Sequence, residues 1–201
     1  MATGTAQWSV MIEGLEEHLR VVRQLESALG LLGDVAARMT RAFQSGHVVF
    51  WCGNGGSAAD CQHLAAELVG RFRGERRGLA SVALTTDSSA LTSISNDFGY
   101  DCVFARQVEA LCRPADILVG ISTSGKSPNV CAALSKARQI GCYTFAMTGL
   151  DGGLVANLAD VCLQVRSSDT ARIQEAHILA GHLLCDLIEM EICKERGSDP
   201  T

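Results

Sequence analysis

Five short apolar runs, each separated from the next by a stretch of helical periodicity, constrain this 201-residue chain more than any other feature. The runs are residues 47–52, 81–84, 117–121, 142–147 and 161–165, and each is short enough for a strand. Helical patterns occupy 58–72, 88–95, 103–111, 129–140 and 153–158. Such alternation implies β-α-β units, hence an α/β fold with a mostly parallel five-stranded sheet flanked by helices on both faces. Before it, over residues 8–43, Met11, Leu15, Leu19, Val22, Leu25, Leu29 and Leu32 recur at three- and four-residue steps, as an amphipathic helix requires. Gly30 and Gly33 are expected to break that segment into two helices. A last long helix is expected over 172–195. The chain thus divides into an N-terminal helical extension (1–45), a single α/β domain (46–195) and a polar tail (196–201) expected to fray.

Composition excludes several function classes. A net charge of −5 disfavours a phosphate-backbone binder, so no nucleic-acid partner is expected. Nine cysteines, odd in number and never spaced C-x-x-C, read as small buried hydrophobes in a reducing compartment. No apolar run approaches the roughly 20 residues that span a bilayer, and no basic patch followed by an apolar stretch opens the chain. A cytoplasmic location without a membrane partner is expected.

In a parallel sheet, ligands sit beyond the carboxyl ends of the strands, where two polar glycine loops fall. One, Ser122, Thr123, Ser124, Gly125, Lys126 and Ser127, puts four hydroxyls in six residues before a helix. Hydroxyl donors, free N–H groups and the positive end of a helix dipole together make a phosphate cradle. The same letters from Gly120 to Ser127 fit the nucleotide motif G-x-x-x-x-G-K-[ST], which also requires an acidic residue to hold Mg²⁺. Asp87 and Asp151 are the nearest candidates, but both sit among turn residues. A Ser-rich helix cap without a ligand is the plainer alternative. The other loop contains Gly53, Asn54, Gly55, Gly56 and Ser57, where glycines permit close backbone approach and Asn54 both donates and accepts.

His63 and Glu67 follow that loop, four apart and so on one helical face. They suit a general base with its partner, or two ligands of a divalent metal; an isolated H-x-x-x-E is also a common surface pair. Arg172, Gln174, Glu175 and His177 open the last helix, and His182 lies among Ile178, Leu179, Leu183 and Leu184. That setting slightly favours a core histidine over one turned toward a cleft.

The segments CGNGGSAADCQHLAAELVGRF, SNDFGYDCVFARQVEA, GISTSGKS, TGLDGG and RIQEAHILAGHLLCDLIE resemble, in one register over residues 10–195, the phosphoheptose isomerases of the sugar isomerase (SIS) domain family. The resemblance implies an aldose-ketose isomerase converting sedoheptulose 7-phosphate to D-glycero-D-manno-heptose 7-phosphate through an enediolate. It implies that Ser57, Ser122, Thr123, Ser124 and Ser127 hold the phosphate. Asn54, Gly55, Gly56, Asn96 and Asp97 would contact the sugar, and Arg71 would line the site. His63, Glu67, Gln174 and His182 match positions that bind zinc in members that carry it, and Glu67 and His182 match the proton-transfer pair. No nucleotide cofactor is implied. A homotetramer with active sites at subunit interfaces is, and spacing accords with it. Gln174 and His182 lie eight residues apart, roughly 12 Å along a helix, so serving one centre favours different chains. Lys126 departs from the Asn common in this loop, and Ala171 from an Asp found in some members. Two alternatives stay open: a non-enzymatic regulator of replication initiation on the same fold, and an isomerase of another ketose phosphate.

Overall fold

The computed structural model describes residues 2–196. All five apolar runs form strands: β1 (Val49–Gly53), β2 (Ser81–Ala83), β3 (Ile117–Ser122), β4 (Tyr143–Gly149) and β5 (Val161–Val165). They make one sheet in the order β2-β1-β3-β4-β5, and every neighbouring pair is parallel. β1 and β3 are buried along their whole length. Successive side chains point to opposite faces, so Val49, Trp51, Ile117, Val119 and Ile121 enter one core while Phe50, Cys52 and Leu118 enter another. A strand covered on both faces must be apolar throughout, which is why these runs are continuous.

The covering helices are α3 (Gly56–Val69), α4 (Ser88–Phe98), α5 (Val103–Leu111), α6 (Pro128–Ile140), α7 (Gly153–Leu158) and α8 (Thr170–Arg196). Leu64 and Leu68 of α3 and Leu184 and Ile188 of α8 fill the first core; Phe104 and Val108 of α5 and Val130 and Leu134 of α6 fill the second. Pro128 suits the first position of α6, where its missing N–H has no acceptor to satisfy. Cys52, Cys61, Cys112, Cys142 and Cys185 are buried, and all nine cysteines are free. No described helix is long and apolar enough to cross a membrane. Of the expected polar tail, only Arg196, the last residue of α8, falls within the described residues.

The N-terminal segment does break, but not at its glycines. α1 (Ala2–Val22) leads through a 3₁₀ segment (Arg23–Ala28) into α2 (Leu29–Gln44), which contains both Gly30 and Gly33. Tertiary contacts decide the position. Leu25 turns into the first core beside Leu32, Val35, Met39 and Phe43 of α2. The Gln24 amide pairs with the backbone of Arg166, donating to its carbonyl at 3.2 Å and accepting its N–H at 2.9 Å. A glycine within a helix costs about 1 kcal/mol, which the burial of α2 overrides.

From the centre of the sheet the chain winds outward in both directions: β1 passes through α3 to β2 on one side, and β3 through α6 to β4 on the other. The crevice this opens beyond the carboxyl ends of β1 and β3 is the usual ligand position in open parallel sheets.

Candidate active site

Both glycine loops meet at that crevice. On the β3–α6 loop the Ser122 hydroxyl lies 2.8 Å from that of Ser127 and 3.5 Å from that of Ser124. Ser127 occupies the N-cap of α6 without a side-chain cap bond; Pro128 has no N–H and the Val130 N–H donates to Asn129 Oδ1 at 3.0 Å, so the Asn129 N–H is the first that this helix start can offer an anion. The loop is braced from beneath by the β4–α7 turn: Gly149 N–H donates to the Thr123 carbonyl and Val155 N–H to that of Gly125, each at 3.0 Å. Gly125 has φ +64°, and a Cβ there would collide with the Gly152 carbonyl. Of the two acidic candidates for the nucleotide reading, Asp87 caps α4, accepting the Ala90 N–H at 2.9 Å, and Asp151 accepts the Gly153 N–H at 3.3 Å.

The β1–α3 loop supplies the opposite wall. Gly55, at φ 56°, caps α3, and a Cβ at Gly53 would lie 3.0 Å from buried Ser57 and 3.1 Å from the Ile121 carbonyl. Asn54 and Asn129 exchange amide hydrogen bonds, both 2.9 Å, and the Tyr100 hydroxyl donates to Asn54 Oδ1 at 3.0 Å. Tyr100 follows α4, whose exposed last turn carries Asn96 and Asp97, themselves joined at 2.8 Å.

One turn and more beyond the loop, α3 presents His63 and Glu67 toward His182 of α8. The two histidine Nε2 atoms are 2.9 Å apart, and His63 Nε2 is 3.4 Å from Glu67 Oε1. One ligand atom from each of the three residues lies within 4.8 Å of the others. The Phe72 ring stacks on His182 with centroids 5.3 Å apart. Burial, and then the neighbouring His63, push the His182 pKa below the usual imidazole value, against Glu67 and Asp186. A neutral ring can accept a proton or ligate a metal. Two imidazole nitrogens and one carboxylate are also the donor types of catalytic zinc sites, so the residues fit a divalent ion. Gln174 does not join them within the protomer. Its amide packs over Gly56, where a Cβ would strike it, and Gly56 lies seven residues before His63, about 10 Å along α3. Arg71 is exposed just past the end of α3.

The family model described as SIS domain matches residues 15–149. The phosphoheptose isomerase of Roseiflexus sp. (strain RS-1) is 50% identical over 186 residues, covering 92% of this chain and 94% of that one. The chain belongs to the phosphoheptose isomerase family. The solved phosphoheptose isomerase of Neisseria gonorrhoeae, 44% identical, matches the fold with a TM-score of 0.86 over 92% of this chain and 99% of its own. That of Francisella tularensis, 34% identical, gives 0.88 over 92% and 98%. Neither the replication regulator nor an isomerase of another ketose phosphate gains support from these relatives.

Several residues of this phosphoheptose isomerase family member carried no legible signal. Asn129 and Tyr100 fix Asn54, yet neither belongs to a glycine loop. Asp60 shares the α3 face of Gly56, His63 and Glu67, and burial pushes its carboxyl up to about 6. The core histidine is His177 rather than His182: it is fully buried, its Nε2 donates to the Thr148 carbonyl at 3.1 Å, and its Nδ1 has no partner. Burial pushes its pKa from 6.5 down to about 4. Between those values the unfolded chain binds a proton that the folded one refuses, so stability is complete above about pH 6.5 and falls as pH drops toward 4. The limit is about 1.4 kcal/mol per pH unit. Denaturant midpoints measured from pH 7 to 5 should fall more steeply in the wild type than in His177→Gln; equal slopes would exclude His177 as the cause.

Proposed function

We propose that this isomerase converts sedoheptulose 7-phosphate to D-glycero-D-manno-heptose 7-phosphate through an enediolate. The observation that carries the reading is the convergence of Glu67 and His182, from α3 and α8, at the carboxyl end of a sheet whose central loops offer a phosphate cradle. The reaction moves one hydrogen between adjacent carbons and is redox-neutral overall, so it calls for no nucleotide. Glu67 takes the proton from C1 beside the C2 carbonyl and returns it to C2. His182, held neutral, assists ring opening and carries the proton between the two oxygens. Zinc held by His63, Glu67 and His182 would polarise the carbonyl as a Lewis acid. Ser57, Ser122, Thr123, Ser124 and Ser127 grip the phosphate far from the reacting carbons, which converts remote binding energy into positioning. Asn54, Gly55, Gly56, Asn96 and Asp97 address the sugar hydroxyls, and Arg71 borders the same site.

The assembly we propose is a cytoplasmic homotetramer with sites completed across subunits. Trp8, Met11, Ile12, Leu15 and Leu19 expose an apolar stripe on α1, and α4 buries none of its residues. The separation of Gln174 from the triad then leaves that amide free to serve a neighbouring subunit's centre. A sedimentation mass giving an active monomer would exclude the arrangement.

NMR of purified protein with sedoheptulose 7-phosphate should show the aldose forming, and elemental analysis should find zinc. No turnover with metal supplied would overturn the substrate. Ser122→Ala and Ser124→Ala should raise KM about tenfold or more, the worth of a hydrogen bond to a charged group. Lys126→Ala, at an exposed position outside the hydroxyl cluster, should keep most activity.

A further inference from the structure

One carboxylate of α8, two turns past His182, has no part in the chemistry above. Glu189 is buried, with its side chain 7% exposed. Its Oε1 accepts the backbone N–H of Arg73 at 2.7 Å and of Gly74 at 2.6 Å, and its Oε2 accepts that of Phe72 at 3.0 Å. Arg76 Nε lies 3.0 Å from the same Oε2, an ion pair without the alignment of a directed hydrogen bond. The Arg76 guanidinium then caps the end of α3, donating to the carbonyls of Glu67 at 2.7 Å and Leu68 at 2.8 Å. One buried pair therefore ties together the helix end that bears Glu67, the loop that bears Phe72 and the helix that bears His182.

We infer that Glu189 is a positioning residue: paired with Arg76, it fixes the 72–74 backbone so that the Phe72 ring holds His182 against His63 and Glu67. The inference rests on reading that triad as the reaction centre. Burying two charges is costly, and an apolar pair of equal volume would often stabilise a fold as well. What an apolar pair cannot do is accept three N–H groups from a loop with no regular structure of its own. A carboxylate accepts at both oxygens; the isosteric Gln would set an NH₂ against at least one of those N–H groups. Phe72 is only partly buried and packs at the edge of the first core, so its stacking on His182 depends on where the loop backbone is held.

The test uses Glu189→Gln, Phe72→Leu and the double variant, with kinetics on the sugar phosphate and NMR of histidine labelled at ring carbon. Both single variants should lower kcat about tenfold or more, with KM changed less than about threefold, since a small misplacement at the reacting atoms slows chemistry and the phosphate cradle lies on other loops. The double variant should be no slower than the slower single, because both act through one ring. The His182 ring signal, which carries the ring-current shift of Phe72, should move in both. Unchanged kcat in either single variant, losses that multiply, or an unmoved His182 signal would each overturn the inference. Phe72→Leu removes only a partly buried ring, so it keeps the test decisive if Glu189→Gln fails to fold. The NMR arm needs no substrate. A wild type inactive on sedoheptulose 7-phosphate therefore counts against the proposed substrate, and an unmoved ring signal against Glu189.

Discussion

Glu67→Gln is expected to slow turnover about 10²- to 10⁴-fold, the usual contribution of a positioned general base. The amide keeps the shape of the carboxylate but loses its basicity and its charge, and the cradle hydroxyls of Ser122, Ser124 and Ser127 stand on the β3–α6 loop, so KM should change little. Exchange of the C1 hydrogen with solvent deuterium should disappear along with turnover, since both begin with the same proton abstraction. Because Glu67 also belongs to the triad that fits a metal, elemental analysis of the variant separates loss of the base from loss of the ion. Exchange and turnover at wild-type rates would remove Glu67 from the base role.

Gly125→Ala should be the most damaging single methyl in the molecule. The residue has φ +64°, where an L side chain costs about 1–2 kcal/mol, and its Cβ would overlap the Gly152 carbonyl. The neighbouring atoms are backbone rather than a flexible side chain, so relief requires the β3–α6 loop and the β4–α7 turn to separate. That movement spreads Ser122, Ser124 and Ser127. Calorimetry should show a melting temperature lower by about 4 °C or more, and titration with the sugar phosphate should show affinity weakened more than about tenfold. Wild-type melting and affinity would mean that the two loops do not brace each other.

The sheet was legible because its central strands are buried on both faces, a condition that leaves a continuous apolar run in the sequence. The glycine loops were legible for a related reason: close approach and positive φ admit little else at Gly53, Gly55 and Gly125. Where the N-terminal helix breaks was not, since Gln24 and Leu25 are set by Arg166 and the core rather than by local propensity. Which α8 histidine is the core one was not legible for a similar reason. His182 lies among apolar residues in sequence and His177 follows polar Gln174 and Glu175, and only the packing of α8 on β4 decides that His177 faces Thr148 while His182 faces α3. The Glu189 anchor joins residues more than 110 positions apart, with no motif to mark either end.

The reciprocal amides of Asn54 and Asn129 also bear on how this family can diverge. Each side chain is the other's donor and acceptor, so either one changed alone leaves its neighbour with an unmatched group at the mouth of the crevice. An aspartate at either place would set two oxygens face to face. The two positions should therefore behave as one heritable unit: drift at one is blocked until the other moves, and lineages that have replaced one asparagine should have replaced both.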